Sequence, residues 1–204
     1  VKESDDECDN NRGAPLSDHA GKAFCPQLSE RIEPRYNSCL PTSQYGAIKG
    51  GGTDVAHNLV RAVIEYASSH CLSIFVLFID LVKAFDGIIR ELIFGFSASS
   101  QESPVEYLAP LGVDQDVAEW LASYICSEGG VFEQWNVDLK VTSLVARLHE
   151  GPRFPRGSLD TVARSHKGGR RGCIFGAAVF NAGYSVPIKM FHEDMRRKGI
   201  ALRA

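Results

Sequence analysis

Ser73-Ile74-Phe75-Val76-Leu77-Phe78-Ile79-Asp80-Leu81-Val82-Lys83-Ala84-Phe85-Asp86 is the stretch on which the reading of this chain turns. Residues 73–79 are a serine and six large apolar side chains without a charge. That composition suits a β-strand buried on both faces. Asp80 stands where the run ends, and Asp86 follows a helical turn or so later. A carboxylate at the end of a buried strand is costly unless a metal ion, a cation or hydrogen bonds satisfy it. Asp80 is therefore a candidate metal ligand. Taken alone, the plainer role of helix cap is the stronger one, because an apolar run ending in Asp is a common pattern.

The sequence on either side carries helical spacing. Gly50-Gly51-Gly52 marks a turn, and Thr53 or Asp54 can cap a helix after it. Val55, Ala56, Leu59, Val60, Val63, Ile64 and Ala67 form the apolar stripe of that helix, which is expected to end near His70. Ile88, Ile89, Leu92 and Ile93 predict a helix after Asp86. Asp114 or Asp116 starts another, with Val117, Trp120, Leu121, Tyr124 and Ile125 as its buried face and Gly129-Gly130 as its stop. Asp138 caps a third, through Val141, Leu144, Val145 and Leu148. Residues 153–166 read as a hairpin turning at Gly157-Ser158, and Gly168-Gly169 opens a loop. A last helical region runs from near Gly172 to about Lys198, broken at Pro187. Residues 1–40, polar and without sustained periodicity, read as irregular. Strands and helices mix without βαβ alternation, so the expected class is α+β.

The composition is that of an ordinary folded domain: 204 residues, 44% hydrophobic and 23% charged. No apolar run approaches the ~20 residues that a membrane-spanning helix needs, so no membrane partner is expected. The chain begins with Val1 and is expected to be a fragment of something longer. The net charge of −3 conceals an asymmetry. Residues 147–204 carry twelve Lys and Arg against four Asp and Glu, whereas Glu3, Asp5, Asp6, Glu7, Asp9 and Asp18 make the first residues acidic. A basic half suits a phosphate-binding surface, and it also suits a solvated face. Six cysteines contain no CxxC pair, and Cys8, His19, Cys25 and Cys39 match no zinc-module spacing. Free thiols suit an intracellular location, cytoplasmic or nuclear.

Residues 78–86 resemble the first palm motif of reverse transcriptases of the non-long-terminal-repeat retroelement and group II intron type. That pattern is aromatic, any residue, Asp, two variable residues, Lys, Ala, Phe, Asp, and Phe78 to Asp86 match it throughout. Gly169-Arg170-Arg171-Gly172-Cys173-Ile174-Phe175-Gly176-Ala177-Ala178-Val179-Phe180-Asn181 is similar to the later palm motif of that family. Gly169, Arg170, Gly172 and Phe180 match, while Arg171, Gly176 and Ala177 replace the usual glutamine, serine and proline. Gln44-Tyr45-Gly46-Ala47-Ile48-Lys49-Gly50-Gly51-Gly52-Thr53-Asp54 resembles the segment upstream of the first motif. It is closest to reverse-transcriptase-like reading frames of dinoflagellate retroelements. The resemblance covers residues 40–185.

The resemblance implies an α+β, partial right-hand polymerase fold: fingers and palm with an antiparallel sheet and packed helices, the thumb absent. Residues 1–40 would be an irregular or partly disordered N-terminal segment, and residues 41–204 the partial fingers and palm. The implied activity is RNA-directed DNA polymerisation, extending a primer with deoxynucleotides by two-metal nucleotidyl transfer. Asp80 would be the catalytic, metal-binding aspartate, with two magnesium ions in the complete enzyme. Leu81, Phe85, Arg171 and Gly172 would contact the nucleotide, with Phe85 as the aromatic gate beneath the incoming sugar. Lys49, Gly50 and Arg170 would contact template or primer. The implied partners are an RNA template, a DNA or RNA primer and deoxynucleoside triphosphates. Nothing after Phe180 matches the third palm motif, an apolar strand leading to two adjacent aspartates. The isolated chain is therefore expected to be inactive. The alternative is a non-catalytic nucleic-acid-binding remnant of a retroelement.

Overall fold

Cys25, Leu28, Ile32, Tyr36 and Leu40 recur every three or four residues, and all five are buried. That stripe winds a helix, α1 (His19–Cys39), where the sequence suggests an irregular segment. Pro26 and Pro34 lie inside it on the exposed side. Burial of the opposite face outweighs the helix-breaking tendency of the two prolines. The computed structural model describes residues 19–41, 44–81, 84–96, 103–150, 153–155, 162–164, 167–169 and 173–199. The turn at Gly157-Ser158 lies outside the described residues.

Helix α2 (Thr53–Ser69) begins and ends as its spacing predicts, although Gly52 and not Thr53 or Asp54 holds the N-cap position. Helix α3 (Arg90–Phe94) is short. Helix α4 (Pro104–Leu108) starts from a capping box: Ser103 accepts from the Glu106 N–H, and the Glu106 carboxylate accepts from the Ser103 N–H. It continues into a 3-10 turn at Ala109–Leu111. Helix α5 (Gln115–Glu128) runs from Asp114 to Gly129, whose φ of 74° suits glycine at a helix end. After α6 (Val131–Gln134), Asp138 caps α7 (Leu139–His149) by accepting from the N–H groups of Lys140 and Val141 at 2.9 and 3.1 Å. Strands β1 (Arg153–Pro155) and β2 (Val162–Arg164) form the antiparallel hairpin expected there, with Phe154 opposite Ala163. Helix α8 (Gly176–Arg197) passes through Pro187 without a break.

The α+β class with an antiparallel sheet is overturned. The described residues are predominantly helical, and β structure among them is confined to the three-residue arms of β1 and β2. Residues 73–79, expected as a buried strand, run without regular secondary structure and lie exposed. A strand is a pairing and not a local property: its N–H and C=O groups need a neighbour, and the described residues supply none. The apolar stripe of α2 is exposed as well. Ala67 is its sole buried residue, and Leu59 and Val63 are 48% and 50% exposed.

The main core joins α1, α6, α7 and α8. Phe132, Val145, Phe175 and Val179 lie fully inside it. A smaller core of Leu108, Leu111, Ala118, Leu121 and Ala122 ties α4 to α5. Helix α3 stands between the two, touching α5, α6, α7 and α8, with Ile93 wholly buried. Gly130 permits this approach, because a Cβ there would collide with the backbone of Phe94 and Gly95. Two expected faces hold in part: Leu121 and Ile125 of α5 and Val141 and Val145 of α7 are buried as expected. In α5 the small residues Ala118 and Ala122 face inward while Val117 and Trp120 are exposed. In α7 Thr142 and His149 are buried and Leu144 is exposed.

Between the cores, burial and the neighbouring Glu91 carboxylate push the Tyr107 hydroxyl from 10.0 up to about 12. The folded protein keeps a proton that the unfolded chain releases near pH 10. The stabilisation is therefore complete below pH 10 and is lost as pH rises toward 12. Urea unfolding of the protein at pH 9, 10 and 11 is expected to show falling stability, with a shallower fall in Tyr107→Phe. Equal slopes in the two proteins would contradict this reading.

Candidate functional site

Arg90 is buried, and its guanidinium donates to two backbone carbonyls far along the chain. Its Nε reaches Gly168 O at 2.8 Å and its Nη2 reaches Lys167 O at 3.0 Å. The same loop donates in return, Gly168 N to Ile88 O and Gly169 N to Phe85 O, both at 2.7 Å. Lys167 continues the tie by donating from Nζ to Leu111 O at 2.6 Å. Gly168 has φ of +94°, and a Cβ there would sit 3.1 Å from the backbone of Asp86. The position needs glycine for both its backbone conformation and its space. Residues 85–90 and 167–169 are thus held together as one unit.

The unit sets Phe85 against the second turn of α8. The Phe85 ring stacks on Phe180 with centroids 5.0 Å apart, and Phe180 stacks on Tyr184 at 5.7 Å. The next residue of α8, Asn181, is buried and faces the third sequence block. Its amide donates to the Tyr36 hydroxyl and to Gly46 O, the latter at 3.0 Å. Tyr36 in turn donates to Ala47 O at 3.4 Å. Burial raises the pKa of Tyr36 above 10.0, and the Asn181 bond offsets part of that rise. Two consecutive residues of α8 therefore join the block around Phe85 on one side and the block around Gly46 on the other.

Beside this junction lies a cleft of about 250 Å³ between α1, the Ala47–Lys49 turn and the start of α8. Ile32, Phe175 and Ala178 give it apolar walls, and Glu33, Tyr36, Asn37 and Lys49 supply polar groups of both signs. It could hold a planar apolar group with a charged edge. Lys49 is thereby placed at a cleft, and Gly50 follows it exposed, with φ of 80°.

The remaining expected site residues stand apart. Asp80 and Leu81 lie exposed on the irregular segment. Arg170, Arg171 and Gly172 lie outside the described residues. Magnesium needs several oxygen ligands in near-octahedral order. No group of three or more His, Cys, Asp or Glu side chains that could hold an ion exists among the described residues. A zinc site shared by Cys25 and Cys39 is excluded, because fourteen residues of one helix separate them by about 21 Å. Arg90, Asn181 and Tyr36 carry the geometry, and sequence reading passed over all three. Tyr36 was legible as the fourth member of the α1 stripe. Arg90 and Asn181 were not, because their partners are backbone carbonyls 78 and 135 residues away.

No protein-family profile, curated protein or solved structure matches this chain. Gly168→Ala is expected to destabilise the protein by about 1–3 kcal/mol through its strained φ and the crowding at Asp86. It should also loosen the Phe85–Phe180 contact. Urea unfolding and near-ultraviolet circular dichroism check this, and an unchanged midpoint with an unchanged spectrum would contradict it.

Proposed function

We propose that this chain is part of an RNA-directed DNA polymerase of the non-long-terminal-repeat retroelement type, inactive when isolated. One observation carries the reading. Three blocks, far apart in sequence and each resembling a segment of that family, meet at Phe180 and Asn181. Motif-like strings that arose by chance have no reason to be packed against one another. The juxtaposition is local and does not depend on an extended sheet.

In this reading Phe85 is the gate beneath the incoming sugar. Its backing by Phe180 and Tyr184 gives the ring a fixed position, which discrimination against a 2′-hydroxyl requires. Lys49 and the exposed glycine after it lie where a nucleic-acid backbone could approach. The reaction would join a primer 3′-oxygen to the α-phosphorus of a deoxynucleotide and release pyrophosphate. A second reading, a non-catalytic nucleic-acid-binding remnant, is favoured by Arg171, Gly176 and Ala177, where the family has other residues. An arginine cannot reproduce the paired donor and acceptor of a glutamine amide.

Primer extension on poly(rA) by a longer chain that includes this one separates the two readings. Extension that Asp80→Asn abolishes is expected for the polymerase, and equal extension by both proteins contradicts the role of Asp80. For the chain itself, anisotropy with a labelled RNA–DNA duplex should show binding that weakens steeply from 50 to 200 mM salt, by about tenfold or more. Absence of binding at the lower salt would contradict both readings.

A further inference from the structure

The cleft between α1, the Ala47–Lys49 turn and the start of α8 has a fixed shape and polar groups that the fold does not use. Its back is held by Tyr36, whose hydroxyl donates to Ala47 O at 3.4 Å and accepts from the Asn181 amide. One wall is α1, where Ser29, Glu33 and Asn37 stand four residues apart in a single row. Another is the start of α8, where Ala177 and Ala178 carry only a methyl group each and so leave room. The space of about 250 Å³ suits a fused two-ring group, since a cavity of about 150 Å³ already takes benzene. Tyr36 is committed to the junction. Among the described residues, no hydrogen bond or ion pair engages the side chain of Glu33, Asn37 or Lys49.

We infer that this cleft receives an unpaired guanine nucleotide, with the edge of the base on Glu33 and the phosphate toward Lys49. A carboxylate only accepts hydrogen bonds, through two oxygens. Glu33 is half-buried beside the apolar walls of Ile32 and Phe175, so it gains most from a group that offers each oxygen a donor. Guanine does this, because its N1–H and N2–H lie side by side on the Watson–Crick edge. Adenine and cytosine set a donor beside an acceptor, and uracil has one donor between two acceptors. An arginine side chain also presents paired donors, but Lys49 at the same cleft disfavours a cation and attracts an anion. Paired donors at one end and negative charge at the other are the features of a guanine nucleotide. A free nucleotide and an unpaired guanine within an RNA strand share this chemistry. The inference rests on the reading of Lys49 as a phosphate contact and adds the base that the α1 row selects.

Calorimetric titration of the chain with GMP, AMP, CMP and UMP is expected to show GMP bound about five- to a hundredfold more tightly than the rest, the range of one paired base contact. Anisotropy with the labelled RNA pentamers AAGAA and AAAAA distinguishes the two sources. Binding of GMP itself assigns a free nucleotide, and a preference for AAGAA without binding of GMP assigns a guanine within a strand. Glu33→Gln exchanges one acceptor for a donor at little cost in helix propensity. It should remove the preference for guanine and strengthen binding of adenine, with the far-ultraviolet spectrum unchanged. Lys49→Met should weaken all the phosphorylated ligands alike and leave guanosine unaffected. Equal affinity for the four nucleotides, a guanine preference that survives Glu33→Gln, or no binding of either GMP or AAGAA at millimolar concentration would overturn the inference. Salt-dependent binding of the RNA–DNA duplex alongside any of these results would leave the polymerase reading standing. A guanine preference without duplex binding would instead overturn that reading and keep the cleft assignment.

Discussion

The buried guanidinium of Arg90 holds the rest of this structure in register. An arginine without partners is too costly to bury, and this one is satisfied by the carbonyls of Lys167 and Gly168. Those two bonds join parts of the chain 77 and 78 residues apart. The reciprocal bonds from Gly168 and Gly169 to Ile88 and Phe85 make the junction a closed set of four. Helix α3 begins at Arg90 and touches four other helices, so the junction also sets how the two cores meet.

The packing of the three blocks follows from the same constraint. Phe85 leads into the junction, and Gly169 leads out of it toward Cys173 and α8. Stacking of Phe85 on Phe180 is the consequence, and Asn181 then draws in the Gly46 turn and Tyr36. The neighbourhood combines a braced aromatic ring with a cleft that bears Lys49. Asp80 is the exception. It belongs to the block that matches its pattern most fully, yet it lies on an exposed, irregular segment. The described part of the molecule braces Phe85 more firmly than it holds Asp80.

What was legible in the sequence was local. Asp138 before an apolar stripe and Asp114 with Gly129 at the far end mark helix ends through bonds and conformations within a few residues. The residues that bring the three blocks together were not legible, because their partners lie far away along the chain. Helix α1 was missed because Pro26 and Pro34 argue against a helix locally, while the burial of Leu28, Ile32 and Tyr36 argues for one through contacts made elsewhere. The strand expected at residues 73–79 failed for the opposite reason. Its composition is right, but strand formation depends on a neighbour that no property of the segment itself guarantees. The faces of α5 and α7 were legible in part: Leu121, Ile125, Val141 and Val145 are buried as their spacing suggests, while Ala118, Ala122, Thr142 and His149 join them through contacts made elsewhere in the chain.

Native-state hydrogen exchange at the amides of Gly168 and Gly169 tests most directly whether the clamp organises the molecule. If it does, both amides are protected to about the same free energy as Val179 in α8, whose N–H donates to Phe175 O at 2.8 Å. Arg90→Met should then lower all three together. Exchange of Gly168 and Gly169 at the rate of an open loop, with Val179 still protected, would contradict the clamp and with it the convergence of the three blocks on α8.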